Sequence, residues 1–326
     1  MRMPFADVVL VLANVVYGTS YLTSRIALDG VPPATLALVR LVLAAALLGV
    51  LATRRERSAP RKAGDRWRIA WMGILGFAVA YALAHWGVYH STVTNAALLI
   101  VVEPLSLIAL SPLVLGERLG RLESLGAALA LAGTVLVVVN GIPGVTERIA
   151  PHWQGHLVLV LSGVAFAAYT LIGRDVLARH DPFGVTLWSI VWGAVGIAPL
   201  AALEWTAGRP IALTPATVAT ILFLGIVISG YGYLVWNWAI QRVSAPRAAV
   251  FLTIQPIVGA ALGIVFLGEA VTPYTVAGGG LVVLGLGLTV RRGPRDREAA
   301  PSPADAILET CPSPAAISSR TRTPTD

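Results

Sequence analysis

Long apolar runs, separated by short polar segments, fill the sequence from residue 7 to residue 290. A helix needs about 20 mostly apolar residues to cross the roughly 30 Å of hydrocarbon in a bilayer. Because lipid offers no partner to backbone polar groups, apolar runs of that length are helices. The pattern therefore predicts ten transmembrane helices, at 7–27, 34–52, 69–89, 93–115, 122–139, 155–177, 184–203, 216–240, 248–267 and 274–290.

The second half of this pattern repeats the first. Residues 86–117 and 238–269 align without a gap when the numbering is shifted by 152, so that Trp86 meets Trp238. The first two helices of each half align at a shift of 149, which pairs Arg25 with Arg174, Pro33 with Pro182 and Tyr17 with Phe166. The sequence thus predicts a duplicated unit, with a first repeat at 1–145 and a second repeat at 146–292.

Arginine and lysine are unevenly divided between the loops of the two sides. With the N-terminus in the cytoplasm, the outer loops hold only Arg148 and Arg209, and Arg25 lies near an outer helix end. The inner segments hold most of the basic residues: Arg54, Arg55, Arg57, Arg61, Lys62, Arg66, Arg68, Arg118, Arg121, Arg174, Arg179, Arg242, Arg247, Arg291, Arg292, Arg295 and Arg297. The positive-inside rule then predicts that both termini are cytoplasmic. Because each repeat has an odd number of spans, the second repeat is inverted relative to the first.

Composition agrees with a membrane protein and excludes other classes. The chain is 56% hydrophobic and 13% charged, whereas a soluble domain carries about 25% charged residues. The net charge of +7 resides in short loops between apolar runs, which argues against a nucleic-acid partner. The single cysteine, Cys311, excludes a disulfide framework within the chain. Residues 293–326 are rich in Pro, Ser, Thr and Ala and are predicted to form a disordered cytoplasmic tail.

Two charged residues, Arg40 and Glu103, fall inside predicted spans at positions that allow similar depth. A charge near the bilayer centre costs about 3 kcal/mol on insertion scales and is usually paired or functional. Three interpretations stay open: a structural Arg40–Glu103 ion pair, a Glu103 that faces a cavity and binds a substrate amine or a proton, and placement beside lipid. Gln255, the repeat mate of Glu103, is polar but cannot ionise.

Polar and aromatic side chains recur at helical spacing on several predicted helices. They should face other helices or a wet cavity, because their polar atoms need partners in lipid. With Arg40 and Glu103, they supply the predicted substrate-binding residues: Asn14, Tyr17, Tyr81, His85, Tyr169, Tyr233, Asn237 and Gln255. The alternative role for each of them is packing between helices. The sequence has no group of residues with metal-ligand spacing, no recognisable catalytic set and no cofactor motif.

Two features are predicted to shape the helix ends and the helix axes. Glu117 and Glu269 each follow a glycine just before the last helix of a repeat. A carboxylate there faces the positive end of a helix and its unpaired N–H groups, so each is predicted to cap the helix that follows it. Pro104 and Pro256 lack an N–H and are predicted to kink their helices at equivalent depths.

These motifs resemble those of a known family. The Glu-Pro pair at 103–104, the block LGERLGRLESLGAALALAGTVLVV at 115–138 and its counterpart FLGEAVTPYTVAGGGLVVLGLGL at 266–288 resemble the two repeats of EamA-type transporters, which belong to the drug/metabolite transporter superfamily. The resemblance implies a ten-helix exporter of small metabolites, often amino acids or related compounds. It also implies a central cavity made largely by helices 1, 3, 4, 6, 8 and 9. Gln255, in place of a second carboxylate, departs from a symmetric arrangement.

The sequence therefore favours a secondary transporter in a bacterial plasma membrane that exports a small organic metabolite, an amino acid or related compound, by alternating access. Its expected partners are the substrate, the lipid bilayer and, as a candidate coupling ion, the proton. The chain has no G-x-x-x-x-G-K-[ST] motif, so the energy is expected from a gradient rather than from ATP. Two alternatives come from other classes: a membrane channel or scaffold, and a membrane-embedded enzyme without a recognisable catalytic set.

Overall fold

The computed structural model describes residues 5–53, 63–106, 110, 121–139, 153–240, 251–252 and 254–290. Every regular element among these residues is a helix, as the apolar pattern predicts. Glu117, the loop at 54–62 and the predicted tail at 293–326 lie outside the described residues.

The first half of the described chain forms helices α1 to α7. They span, in order, Phe5–Gly18, Ser20–Leu28, Pro33–Ala52, Ala63–Gly73, Ala80–Tyr89, Val93–Leu99 and Arg121–Val139. A π-helical segment, Ile74–Val79, joins α4 to α5. The predicted first span is interrupted at Thr19, whose hydroxyl donates to the Val16 carbonyl oxygen at 2.7 Å. Such a bond from a threonine to the preceding turn competes with the helix ladder.

The second half forms helices α8 to α13. They span Trp153–Leu177, Pro182–Thr206, Pro215–Leu222, Tyr233–Ile240, Ile254–Leu267 and Pro273–Val290. A second π-helical segment, Phe223–Gly232, joins α10 to α11. A shift of 152 residues moves the first π segment to 226–231, inside the second one. π-helical turns are rare and frequently lie at functional sites. The equivalent positions of these two segments therefore make the residues that follow each of them candidates for a functional site.

Five helical stretches of the described chain are long and apolar enough to cross a membrane: Pro33–Ala52, Gly64–Tyr89, Trp153–Leu177, Pro182–Thr206 and Pro215–Ala239. Shorter apolar helices lie at Val93–Ser106, Ser124–Val139, Ile254–Leu267 and Pro273–Gly285. Large apolar side chains on these helices are more than half exposed, among them Leu131, Val265, Phe266 and Val276. Such a surface fits lipid rather than water. The predicted helical class is confirmed, and the number of ten spans stays a prediction.

Helices of the first half pack mainly against helices of the second half. The pairs are α7 with α13, α3 with α9, α5 with α8 and α6 with α12. The core between α3, the first π segment and α9 is apolar, with Leu41, Phe77 and Ile190 fully buried. Inside lipid, this packing stabilises the fold by van der Waals contact rather than by removing apolar surface from water.

Helices α7 and α13 cross at glycines that permit backbone contact. A Cβ atom added at Gly133 would lie 2.5 Å from the Gly278 carbonyl oxygen, and one added at Gly285 would lie 2.5 Å from the Gly126 carbonyl oxygen. At the shift of 152, Gly126 and Gly133 are the repeat mates of Gly278 and Gly285. The two contacts are therefore reciprocal, as they are when a surface packs against its own copy across a two-fold axis.

The helix that leads to Glu103 is interrupted because Pro104 removes a hydrogen-bond donor. Helix α6 ends at Leu99, residues 100–101 form a turn, and helical structure resumes at residue 102. Without an N–H on Pro104, the Ile100 carbonyl has no helical partner four residues later. It accepts the Glu103 N–H at 3.0 Å instead. The helix is thus interrupted just before Pro104, where the sequence predicts a kink.

Glu269 caps a helix of the first half rather than the helix that follows it. Its two carboxylate oxygens accept the backbone N–H groups of Val93 and Thr94, at 2.6 and 2.7 Å, at the start of α6. The prediction that Glu269 caps the next helix, α13, was wrong about the helix, although the carboxylate does satisfy free N–H groups. Spatial neighbours decide which helix end a carboxylate reaches, and the sequence alone does not identify them.

We expect Glu269→Ala to lower the free energy of unfolding by about 1–2 kcal/mol, because two N–H groups at the start of α6 lose their acceptor. Glu269→Gln should cost less, since its carboxamide oxygen still accepts one of those N–H groups. The measurement is the thermal unfolding midpoint of the purified protein in detergent. Equal midpoints for the wild type and Glu269→Ala would contradict the cap.

Candidate substrate-binding site

A cavity of about 110 Å³, hereafter the central cavity, lies between helices of both halves. Its polar lining consists of Tyr17, Ser20, Tyr21, Ser24, Arg40, Tyr81, His85, Glu103, Tyr233 and Gln255. The rest of its lining is mainly apolar and consists of Ala84, Val88, Ile100, Phe166, Ile228, Trp236 and Leu252. Predicted spans 1, 3, 4, 6, 8 and 9, which the family resemblance implied, all contribute to the cavity. Helix α3, the second predicted span, adds Arg40.

Seven of the ten predicted site residues line the central cavity: Tyr17, Arg40, Tyr81, His85, Glu103, Tyr233 and Gln255. The other three, Asn14, Tyr169 and Asn237, are buried without lining it. Asn14 accepts a hydrogen bond from the Gln255 amide at 2.7 Å, and Asn237 donates to the Tyr169 hydroxyl at 3.1 Å. Asn14 therefore orients the lining residue Gln255, while Asn237 and Tyr169 bind each other behind the cavity wall.

Arg40 is almost fully buried, with 4% of its surface exposed. Its Nε donates to the Ser229 hydroxyl at 2.9 Å, and its Nη1 lies 3.0 Å from Nε2 of His85. Its Nη2 donates to the Tyr81 hydroxyl at 3.4 Å, and its guanidinium carbon lies 4.2 Å from the centre of the Tyr81 ring. The guanidinium is thus fixed in direction by three side chains from two other helical segments.

The hydrogen bonds of His85 assign its tautomer. A guanidinium only donates, so Nε2 of His85 accepts a hydrogen bond from Arg40. The other ring nitrogen, Nδ1, lies 3.2 Å from the Pro33 carbonyl oxygen, which only accepts, so Nδ1 carries the hydrogen. In this geometry His85 is neutral and orients Arg40 without compensating its charge.

Glu103 faces the central cavity from the helical segment that resumes at residue 102, one residue before Pro104. Its Oε1 accepts a long hydrogen bond from the Thr170 hydroxyl, at 3.5 Å. Within the described part of the chain, no ion pair joins it to Arg40. Of the three interpretations of these two charges, the structure favours the one in which Glu103 faces a cavity.

Aromatic rings meet across the cavity wall in two matching contacts. The rings of Tyr17 and Tyr233 meet edge-on with centroids 6.1 Å apart, and those of Tyr81 and Phe166 meet edge-on at 5.6 Å. Phe166 is the repeat mate of Tyr17, and Tyr233 is the repeat mate of Tyr81. The same contact therefore occurs twice. Each time it joins the first predicted span of one half to the third predicted span of the other half.

Several residues of the site were not predicted. Ser229, which accepts a hydrogen bond from Arg40, lies four residues before Tyr233. The helical spacing that identified Tyr233 could therefore have identified Ser229 as well. Ser20 and Ser24 share the same spacing on α2. Thr170, the partner of Glu103, lies four residues after Phe166 and eight after Ser162, so helical spacing contained a signal for it too.

Comparison with known proteins assigns the family. The model of the EamA-like transporter family matches the chain twice, at residues 4–139 and 153–291. The chain belongs to the EamA-like transporter family. It is therefore a membrane transporter with several apolar helices, and the resemblance drawn from its motifs is confirmed.

Relatives of the EamA-like chain include proteins named as exporters. It is 30% identical over 305 residues to a probable terminal-alkyne amino-acid exporter of Streptantibioticus cattleyicolor, covering 93% of this chain and 99% of that protein. It is 25% identical over 297 residues to a probable amino-acid metabolite efflux pump of Salmonella typhimurium, covering 87% and 96%. A crystal structure of a protein 21% identical to it has the same fold, with a TM-score of 0.62 over 87% of this chain and 95% of that one.

Proposed function

We propose that this EamA-family protein is a secondary transporter that exports a small organic metabolite, an amino acid or related compound, across a bacterial plasma membrane by alternating access. The observation that carries the proposal is the central cavity, where Arg40 and Glu103 face one space between the two halves. Opposite charges at one site suit a zwitterionic substrate, and the aromatic wall suits an apolar substituent.

The proposed architecture is ten transmembrane helices in two inverted five-helix repeats, 1–145 and 146–292, with both termini and the segment 293–326 in the cytoplasm. It is supported by the reciprocal glycine contacts of α7 and α13 and by the matching aromatic contacts. The equivalent π segments and the two matches of the family model support it as well. Two inverted copies allow two mirror-related states of similar energy, which is the physical basis of alternating access.

The nature of the substrate is supported by the relatives and by the charges of the site. Two relatives carry names that refer to export of amino acids or their metabolites. The cavity charges come from the first half alone, because the repeat mates of Arg40 and Glu103 are Ser189 and Gln255. Glu103 is the proposed binding group for a substrate ammonium, and it is also the candidate carrier if a proton gradient drives the transport.

Counterflow in proteoliposomes tests the proposed function. Vesicles that contain the protein are loaded with unlabelled L-phenylalanine, chosen for the aromatic wall, and diluted into trace labelled L-phenylalanine. A transporter that works by alternating access should accumulate label transiently above equilibrium, and the initial rate should saturate with concentration. Protein-free vesicles are the control.

Two outcomes would count against the proposal. Uptake that rises linearly with concentration and shows no counterflow would indicate a channel. Chemical conversion of the labelled compound inside the vesicles would indicate a membrane-embedded enzyme.

A further inference from the structure

Arg40 is a buried cation without an anionic partner in the described part of the chain. All three of its hydrogen-bonded neighbours, Ser229, His85 and Tyr81, are uncharged, and the bonds do not use up the N–H donors of a guanidinium. A buried charge that is oriented but not neutralised is costly unless a partner arrives. A transported substrate that carries an anionic group is one source of such a partner.

Glu103 does not serve as this partner. Its oxygen accepts from Thr170, and the three ion pairs found among the described residues all lie elsewhere. Both charges nevertheless line the central cavity. The space between them is therefore the place where an anionic group can reach Arg40 while a cationic group reaches Glu103.

Tyr17 supplies a second donor without a partner. Its hydroxyl oxygen is buried and has no hydrogen-bond partner among the described residues, and Tyr17 lines the central cavity. The ring is held in place by the Tyr233 ring and by the close approach of Gly232, where an added Cβ would lie 2.9 Å from the hydroxyl oxygen. The repeat mate of Tyr17 is Phe166, which has no hydroxyl, so this donor occurs on one side of the cavity only.

We propose that the Arg40 guanidinium, with the Tyr17 hydroxyl as a second donor, is the receptor for a carboxylate of the transported compound. The proposal rests on the proposed transport function and adds to it an orientation of the substrate: carboxylate toward Arg40, ammonium toward Glu103. Arginine suits this task because its planar fork binds both oxygens of a carboxylate. Since Ser189 replaces Arg40 in the second half, the cavity has one such receptor and favours compounds with one carboxylate.

Four probes that share a phenyl group separate the contributions of the two charges. They are L-phenylalanine, 3-phenylpropionate without the ammonium group, L-phenylalaninamide without the carboxylate charge, and phenethylamine without the carboxylate. Binding is measured by titration calorimetry on the protein in detergent, and transport by competition with L-phenylalanine counterflow. We expect L-phenylalaninamide and phenethylamine to bind at least about tenfold more weakly than L-phenylalanine, while 3-phenylpropionate retains measurable binding.

Variants assign this preference to Arg40. In Arg40→Gln, the ratio of L-phenylalanine affinity to L-phenylalaninamide affinity should fall to about one. Arg40→Lys should keep part of this ratio, because lysine retains the positive charge but lacks the planar fork of arginine. Tyr17→Phe, which is nearly isosteric, should weaken L-phenylalanine binding several-fold and leave the binding of phenethylamine, which has no acceptor in place of the carboxylate, unchanged. Arg68→Gln is the control: Arg68 pairs with Asp175 at the surface, so the ratio should stay at its wild-type value.

The receptor proposal is overturned if phenethylamine binds wild-type protein as well as L-phenylalanine does, or if Arg40→Gln keeps the wild-type ratio while it remains folded. Saturable counterflow in either case leaves the proposed transport function standing without the receptor. If none of the four probes binds or exchanges, the proposed amino-acid transport fails, and the receptor proposal fails with it.

Discussion

Replacing Gly285 by valine is expected to lower the free energy of unfolding by about 3 kcal/mol, at the upper end of the cost of overpacking. An added Cβ at Gly285 would lie 2.5 Å from both the Ala130 nitrogen and the Gly126 carbonyl oxygen. Both are backbone atoms of α7, so no side-chain rotation relieves the clash and the two helices must separate. In lipid, close packing at small residues is a main source of helix association.

The control for this prediction lies on the same helix. An added Cβ at Gly280 meets nothing within 4 Å, so Gly280→Val has the same intrinsic effect on helix formation without the clash. Thermal unfolding midpoints in detergent should fall clearly for Gly285→Val and little for Gly280→Val. Gly133→Val, in the reciprocal contact, should resemble Gly285→Val. Equal midpoints for Gly280→Val and Gly285→Val would contradict the crossing of α7 and α13.

Glu103→Gln is expected to reduce L-phenylalanine counterflow at least roughly tenfold, because a hydrogen bond to a charged group is worth about 1.5–3 kcal/mol. The substitution keeps the shape of the side chain and an oxygen that can accept from Thr170. It removes only the charge that the proposed function assigns to the substrate ammonium. Proteoliposome counterflow at saturating and at low substrate concentration is the measurement.

Asp175→Asn makes the same chemical change at an exposed carboxylate, 70% accessible, and should leave counterflow unchanged. The pH dependence of transport then tests the proton. If Glu103 carries a proton, Glu103→Gln should abolish the pH dependence along with most of the rate. Transport that survives Glu103→Gln with an unchanged pH dependence would exclude the proton role, and full activity would exclude the substrate role as well.

The helical class and the family were predictable from local patterns. Apolar runs predicted the helices because lipid leaves the backbone no alternative to internal hydrogen bonds. The kink at Pro104 was predictable because a missing N–H acts within one helical turn. Even the polar stripes were informative: five of the eight residues selected by spacing line one cavity, as do Arg40 and Glu103, which were selected as charges inside predicted spans.

Spacing alone could not separate the residues that line the cavity from those behind it. Tyr169 and Tyr233 both lie on polar stripes, yet only Tyr233 lines the central cavity. The difference arises from how the helices are rotated and offset when they pack, and each π segment adds a local change of register. The helix that Glu269 caps was mispredicted for a similar reason, since Val93 is far away in the sequence and close in space.

The order of residues along the chain decided everything that acts within a few helical turns: where helices form, where one breaks, and that the chain belongs to the EamA-like family. Only the folded arrangement decided which groups meet. It gave Arg40 three neutral neighbours and Glu103 a hydroxyl, so that both charges face one cavity instead of each other. That outcome depends on contacts between helices distant in sequence, and the free energy of each such contact is a property of the packed pair rather than of either segment.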